Sequence, residues 1–256
     1  MVKLHFNSFS NDVEDGLSAT VYFPRCNLRC RYCYNFKALI YEEDSLTIDQ
    51  VKEQISKLKV NGMCRVDYIV FSGGECTLYF RELKELICYA KSLGFKTAIY
   101  TNGIQNFPVL HRLFNSDEGN LIDFVSLDFK IWSSSQPSLI GFTPKSYLKE
   151  LEKTVTLVSK FSNYSLRTVL CKKSTSLDSE TYFEDFKKLI RNTVKDPQSL
   201  HISNVIINKD NYSFTEEDSL YESVSEEELE NFVKNVKQSM DLSKISTKVC
   251  KHQLSN

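Results

Sequence analysis

Residues 20–35 read TVYFPRCNLRCRYCYN. A β-branched and aromatic run, Ser18–Phe23, leads straight into a loop that carries Cys26, Cys30 and Cys33 as C-x3-C-x2-C. The run has the composition of a strand, and loops that leave a rigid strand are where chemistry tends to sit. The spacing lets three thiolates from one loop turn inward onto three corners of an iron–sulfur cube. A 4Fe–4S cluster normally takes four cysteines, and no fourth cysteine lies nearby in the sequence. One iron is then left without a protein ligand. An open position on a metal centre marks a working site rather than a structural one, by the logic that separates catalytic from structural zinc.

Other uses of these cysteines fit less well. Structural zinc wants C-x2-C paired with a second such pair or with histidines, and the four histidines are scattered. A disulfide framework suits short secreted chains, not 256 residues without an export signal. The remaining five cysteines, Cys64, Cys76, Cys88, Cys171 and Cys250, are dispersed. Cys88 falls among the apolar positions of an expected helix and reads as a small core residue.

Outward from the loop, composition bounds the class. The apolar fraction of 41% and the charged fraction of 25% are ordinary for a globular protein. A formal net charge of −1 gives no nucleic-acid footprint. The opening MVKLHFNSFSNDVEDG has no apolar core of a signal peptide, and no apolar run approaches the length of a membrane span. These features, with unpaired cysteines, lead to the expectation of a cytoplasmic protein that binds neither nucleic acid nor membrane.

Short β-branched runs alternate with amphipathic stretches, the α/β pattern. Strands are expected near Ser18–Phe23, Val66–Ser72, Lys96–Thr101, Phe124–Lys130, Ser165–Cys171 and Leu200–Ile206. Thr47 and Gln50 form a capping box ahead of Ile48, Val51, Ile55 and Leu58. Leu83, Leu86, Ile87 and Ala90 line a second helix, which Gly94 ends. Tyr147, Leu151, Val155 and Val158 mark a third helix, and Phe183, Phe186, Leu189 and Ile190 a fourth. Six β–α units with right-handed crossovers predict a parallel sheet in a partial (β/α)6 TIM-like barrel, residues 1–206, with a C-terminal helical extension. Residues 207–224 are polar and acidic and read as a linker. Ser225 and Glu228 then cap a last helix carrying Leu229, Phe232, Val233, Val236 and Met240, so that 207–256 is an acidic linker plus helix.

In a parallel barrel the reactive residues gather at the C-terminal ends of the strands. The cysteine loop follows the first strand, Ser72-Gly73-Gly74-Glu75 the second, and Thr101-Asn102-Gly103 the third. The fourth strand, FVSLDFK, puts Ser126, Asp128 and Lys130 on one face and Val125, Leu127 and Phe129 on the other. Arg167 shares a face with Val169 on the fifth. Asp128 and Arg167 could be a buried ion pair, Gly73-Gly74 and Asn102-Gly103 ordinary turns, and His201 a satisfied core histidine.

With the cysteine loop, FSGGE, YTNG, LDFK and LRTVL in this order, the chain resembles the radical S-adenosylmethionine (SAM) superfamily, and within it the glycyl-radical-enzyme activating branch. That branch includes the activases of pyruvate formate-lyase and of anaerobic ribonucleotide reductase. The resemblance runs from about His5 to His201, and the C-terminal fifty residues resemble nothing that can be placed. It implies one 4Fe–4S cluster held by Cys26, Cys30 and Cys33, and SAM chelated to the open iron and cleaved to a 5′-deoxyadenosyl radical. Tyr32, the aromatic before the last cysteine, belongs to the family signature. By the same resemblance Tyr32, Gly73, Gly74, Glu75, Asn102 and Arg167 would contact SAM. Thr101, Asp128 and Lys130 would belong to its carboxylate end, and His201 is a further candidate. A guanidinium at Arg167 suits a carboxylate, which it can bind bidentately. Cys76 is set aside as a fourth ligand, since it would occupy the iron that SAM needs. The implied partners are a glycyl radical enzyme and an electron donor such as flavodoxin or ferredoxin. A stand-alone enzyme acting on a small molecule or peptide is the alternative, and a plain electron carrier would have no use for an open iron. Four positions depart from the branch: Asp15-Gly16-Leu17-Ser18 replaces D-G-P-G, Tyr34 replaces a histidine, Cys76 replaces a proline after GGE, and Tyr100 stands where some members have an acid.

Overall fold

The segment YIVFSG explains much of the first half of the chain, because its first four side chains are all buried. A strand covered on both faces needs such a continuous apolar run, and parallel sheets supply that setting. The computed structural model describes residues 4–10, 13, 16–30, 33, 45–130, 144–170, 180–204, 224–240 and 246–250. By contact density the chain divides into two units: residues 1–27 with 37–126, and residues 28–36 with 127–256.

In the first unit, β1 (His5–Ser10) runs antiparallel to β2 (Ser18–Phe23). A two-residue hairpin, β3 (Lys59–Val60) and β4 (Met63–Cys64), stands apart. β5 (Tyr68–Gly73) lies parallel between β2 and β6 (Lys96–Thr101). β7 (Phe124–Asp128) follows β6 in the sheet. Helix α1 (Ile48–Lys57) starts on the Thr47–Gln50 capping box, with both reciprocal hydrogen bonds made. It buries Val51 and Ile55. Helix α2 (Phe80–Ser92) buries Leu83, Leu86, Ile87 and Ala90, the stripe that its spacing predicts. Gly94 ends it at φ +93°, a conformation that suits only glycine well. Cys88 is half-buried rather than a core residue. Val13, Tyr68, Val70, Ala98 and Phe124 form one apolar cluster, with Tyr100 against it.

In the second unit, β8 (Asn163–Leu170) and β9 (Ser199–Asn204) are parallel, and β10 (Ser246–Cys250) pairs in parallel with β9. Helix α4 (Pro144–Phe161) fully buries Tyr147, Leu151, Val155 and Val158. Phe186 of α5 (Glu180–Arg191) meets Phe129 edge-on, with ring centroids 5.6 Å apart. Phe183 stacks on Phe232 of α6 (Glu226–Met240) at 6.0 Å. The Ser225–Glu228 capping box is present: Ser225 N–H donates to the Glu228 carboxylate at 2.6 Å and Glu228 N–H to Ser225 Oγ at 3.2 Å.

The architecture is thus α/β with a mostly parallel sheet. Besides the β3–β4 hairpin, three elements go beyond the sequence reading. β1 adds an antiparallel edge, α3 (Phe107–Phe114) follows β6, and β10 turns the last helix into a crossover between parallel strands. None of the helices among the described residues is long and apolar enough to cross a membrane.

Candidate functional site

In the first unit the ends of β2 and β5 are stitched together by backbone. Gly74 N–H donates to the Phe23 carbonyl at 2.9 Å, and Glu75 N–H to the Arg25 carbonyl at 2.8 Å. Gly73 sits at φ +115°, and a Cβ there would lie 2.1 Å from the Phe23 oxygen. The close approach that requires glycine is therefore to the strand feeding the cysteine loop. Arg25 itself takes a left-handed turn, φ 56°, which re-aims the chain just before Cys26.

Glu75 is almost wholly buried. Its Oε1 accepts from Thr77 N–H at 3.3 Å, Thr77 Oγ1 at 2.6 Å and Thr101 Oγ1 at 2.8 Å. Its Oε2 accepts from Asn102 N–H at 2.9 Å. Burial raises its pKa above the ordinary carboxylate value, and the hydrogen bonds from Thr77, Asn102 and Thr101 pull it back. A carboxylate has about four acceptor positions, so Oε2 keeps room for a further donor. Asn102 places its side-chain nitrogen 3.6 Å from the Cys26 sulfur and 2.8 Å from Asn27 Oδ1. Asn106, also buried, donates to Thr101 Oγ1 and leaves its own Oδ1 without a partner among the described residues.

The Cys76 thiol turns away, donating to the Phe71 and Tyr100 carbonyls at 3.5 and 3.9 Å. Burial, then the Glu75 charge, pushes its pKa well above the usual thiol value. It is an inert thiol, as free buried cysteines are.

In the second unit, Asp128 pairs with Lys130 at 2.8 Å. Tyr147 reaches from α4 to the same strand end, its hydroxyl accepting from Lys130 N–H at 2.7 Å and donating to the Asp128 carbonyl at 3.0 Å. Burial raises the Tyr147 pKa, and the Lys130 charge and N–H pull it part of the way back. Cys33 N–H donates to the Cys30 carbonyl at 3.1 Å. Arg167 on β8 is register partner to His201 on β9. The buried His201 ring has Nε2 2.9 Å from Ser199 Oγ. Tyr32 lies outside the described residues.

The donor set fits a 4Fe–4S cluster. All three loop cysteines are half-buried, so none is committed to the core, and Cys26 already has an amide nitrogen beside its sulfur. Among the described residues no three His, Cys, Asp or Glu side chains surround a single ion. A cubane does not ask for that, since each thiolate takes a separate iron. The orphaned Asn106 Oδ1 is an acceptor that a ligand hydrogen could satisfy.

A family model described as the radical SAM superfamily matches residues 20–191, more than half of the chain. A protein of Methanocaldococcus jannaschii, provisionally named a glycyl-radical enzyme activating enzyme, is 34% identical over 119 residues, 46% of this chain and 45% of that one. An S-adenosylmethionine-dependent nucleotide dehydratase of Selenomonas ruminantium is 40% identical over 79 residues, 31% of this chain and 27% of that one. The chain thus spans half or less of the length of these relatives. QueE from Escherichia coli superposes with a TM-score of 0.51 at 9% identity, covering 98% of this chain and 95% of that one, which is a likeness of fold.

Proposed function

The chain belongs to the radical SAM superfamily, whose members use a 4Fe–4S cluster and S-adenosylmethionine, and from that premise we propose that it installs a glycyl radical on a partner enzyme. Cys26, Cys30 and Cys33 would hold the cluster, which would supply the electron for reductive cleavage of SAM. Glu75 binds the amino group of SAM through the open side of Oε2. An ammonium there offsets the burial that otherwise disfavours the Glu75 charge. The surrounding Thr77, Thr101 and Asn102 donors hold the carboxylate still, so little ordering is left to do when the ligand arrives. Arg167 and Lys130 take the SAM carboxylate, with Asp128 and Tyr147 fixing the Lys130 segment. His201, held by Ser199, supports Arg167 from the next strand. In this reading residues 1–206 carry the chemistry and 207–256 are an added segment, and the electron donor is a flavodoxin or ferredoxin.

The observation that carries the activase reading is the 34% identity to the provisionally named activating enzyme. The 40% identity to a nucleotide dehydratase favours a second reading, a small-molecule substrate. Anaerobic reduction with SAM and each glycyl radical enzyme of the host, followed by electron paramagnetic resonance, separates them. A glycyl doublet on the partner is expected. SAM cleavage without any partner radical would hand the case to the second reading.

A further inference from the structure

Asn27 plays no part in the reading above, yet its side chain closes a ring of hydrogen bonds beside Cys26. Asn102 Oδ1 accepts from the Ile104 N–H at 2.9 Å, and Asn27 Nδ2 donates to the Ile104 carbonyl at 2.8 Å. A peptide N–H can only donate and a peptide carbonyl only accept. The usual ambiguity between oxygen and nitrogen in a side-chain amide is thereby removed at both residues. The ends that remain, Asn102 Nδ2 and Asn27 Oδ1, meet at 2.8 Å. That bond uses one hydrogen of the Asn102 amide and leaves the other for the Cys26 sulfur, 3.6 Å away. Asn27 Oδ1 also lies 3.7 Å from that sulfur. A thiol can donate to it, but a thiolate cannot, so toward a ligating sulfur Asn27 acts only through Asn102.

We propose that Asn27 is a positioning residue, which holds the Asn102 amide with one N–H aimed at the Cys26 sulfur and so sets the reduction potential of the cluster. The proposal rests on the reading of Cys26 as a cluster ligand. A donor at a ligating sulfur disperses the charge that reduction adds, and hydrogen bonds to sulfur are among the levers on cluster potential. The clamp therefore favours the reduced cluster.

The test is a redox titration of the reconstituted protein, followed by electron paramagnetic resonance, in wild type, Asn27→Ala, Asn102→Ala and the double variant. In Asn27→Ala the ratio of reduced to oxidised cluster at a fixed potential should fall about tenfold, a shift of about 59 mV for one electron. Asn102→Ala should fall at least as far, and the double variant no further than Asn102→Ala, because the first residue acts through the second. Iron content should be retained in Asn27→Ala although the loss of two hydrogen bonds lowers the melting temperature, and a merely structural role would leave the potential of the loaded protein where it is. A second measurement needs no cluster: in the apo-protein the Asn102 side-chain amide should resist hydrogen exchange in wild type and lose that protection in Asn27→Ala. An unmoved potential in Asn27→Ala, additive shifts in the double variant, or unchanged Asn102 exchange would each overturn the positioning role. A wild type that assembles no cluster but shows the expected exchange would overturn the cluster reading and leave the clamp standing.

Discussion

The strand ends of the first unit and those of the second are built from different materials. Around Glu75 the partners are neutral: the hydroxyls of Thr77 and Thr101 and the peptide N–H groups of Thr77 and Asn102. Around Asp128 the partner is a cation, Lys130, and the cross-strap is a single tyrosine hydroxyl. A buried carboxylate surrounded by neutral donors keeps an unmet demand for positive charge. A carboxylate beside a lysine has that demand answered from within the fold. On the reading proposed above, the first region is the one that takes a cation from outside, and Arg167 of the second takes an anion.

Removing the thiols of the cysteine loop has the largest expected effect. Changing Cys26, Cys30 and Cys33 together to Ala should take iron from about four per chain, as for one cubane, to essentially none after anaerobic reconstitution. The melting temperature of the apo-protein should barely move, since none of the three lies in the core. Iron surviving the triple change would place the cluster elsewhere.

Gly73→Ala attacks only the first region. The strained backbone alone costs about 1–3 kcal/mol, and the overlap with the Phe23 carbonyl adds to it. The urea midpoint should drop clearly, and unchanged stability would show that the β2 and β5 ends can move apart without loss.

Glu75→Gln and Arg167→Ala sharpen the contrast, one change in each region. Each removes a charged hydrogen bond worth about 1.5–3 kcal/mol, so calorimetry should show SAM binding weaker by roughly ten- to a hundredfold, with iron retained. Only Glu75→Gln should also alter the pH dependence of stability. Burial raises the folded pKa of Glu75 above 4.5. Its contribution is then complete below pH 4.5 and is lost as pH rises through the folded value. Urea midpoints across that window should fall in wild type relative to Glu75→Gln. Parallel curves would mean that the Thr77, Thr101 and Asn102 donors cancel the cost of burial.

Tyr147→Phe, in the second region, is the mildest change. It leaves one peptide N–H and one carbonyl without the bridging hydroxyl, a loss of about 1–3 kcal/mol readable as a lower melting temperature.

Much of this was legible in the sequence, for reasons that particular residues make plain. Helices with apolar stripes and capping boxes, such as α1 and α6, carry both their period and their start signal in side chains. The strand at Lys96–Thr101 falls where its β-branched run ends. Helix α3 escaped notice because it spans eight residues and Asn106 makes no side-chain cap bond. Strand β10 is a polar segment, STKVC, whose assignment rests on a neighbour rather than on its own pattern. The candidate residues Glu75 and Asn102 stood out at strand ends. Asn27, Thr77 and Asn106 did not, because their partners lie at turns whose geometry no spacing rule encodes. The one available signal for Asn27 was an amide directly after a cysteine of the loop.

Ile104 contributes to the ring beside Cys26 solely with its peptide group. Its side chain, fully buried, answers to the core instead. Substitutions at this position should therefore sort by two unrelated rules. Valine, leucine or methionine meets the packing demand and leaves both main-chain anchors in place. Proline meets the same demand but has no N–H to offer, and it would release Asn102 without touching an asparagine or a cysteine. In a library screened for wild-type cluster potential, position 104 should tolerate a wide range of apolar residues, with proline absent.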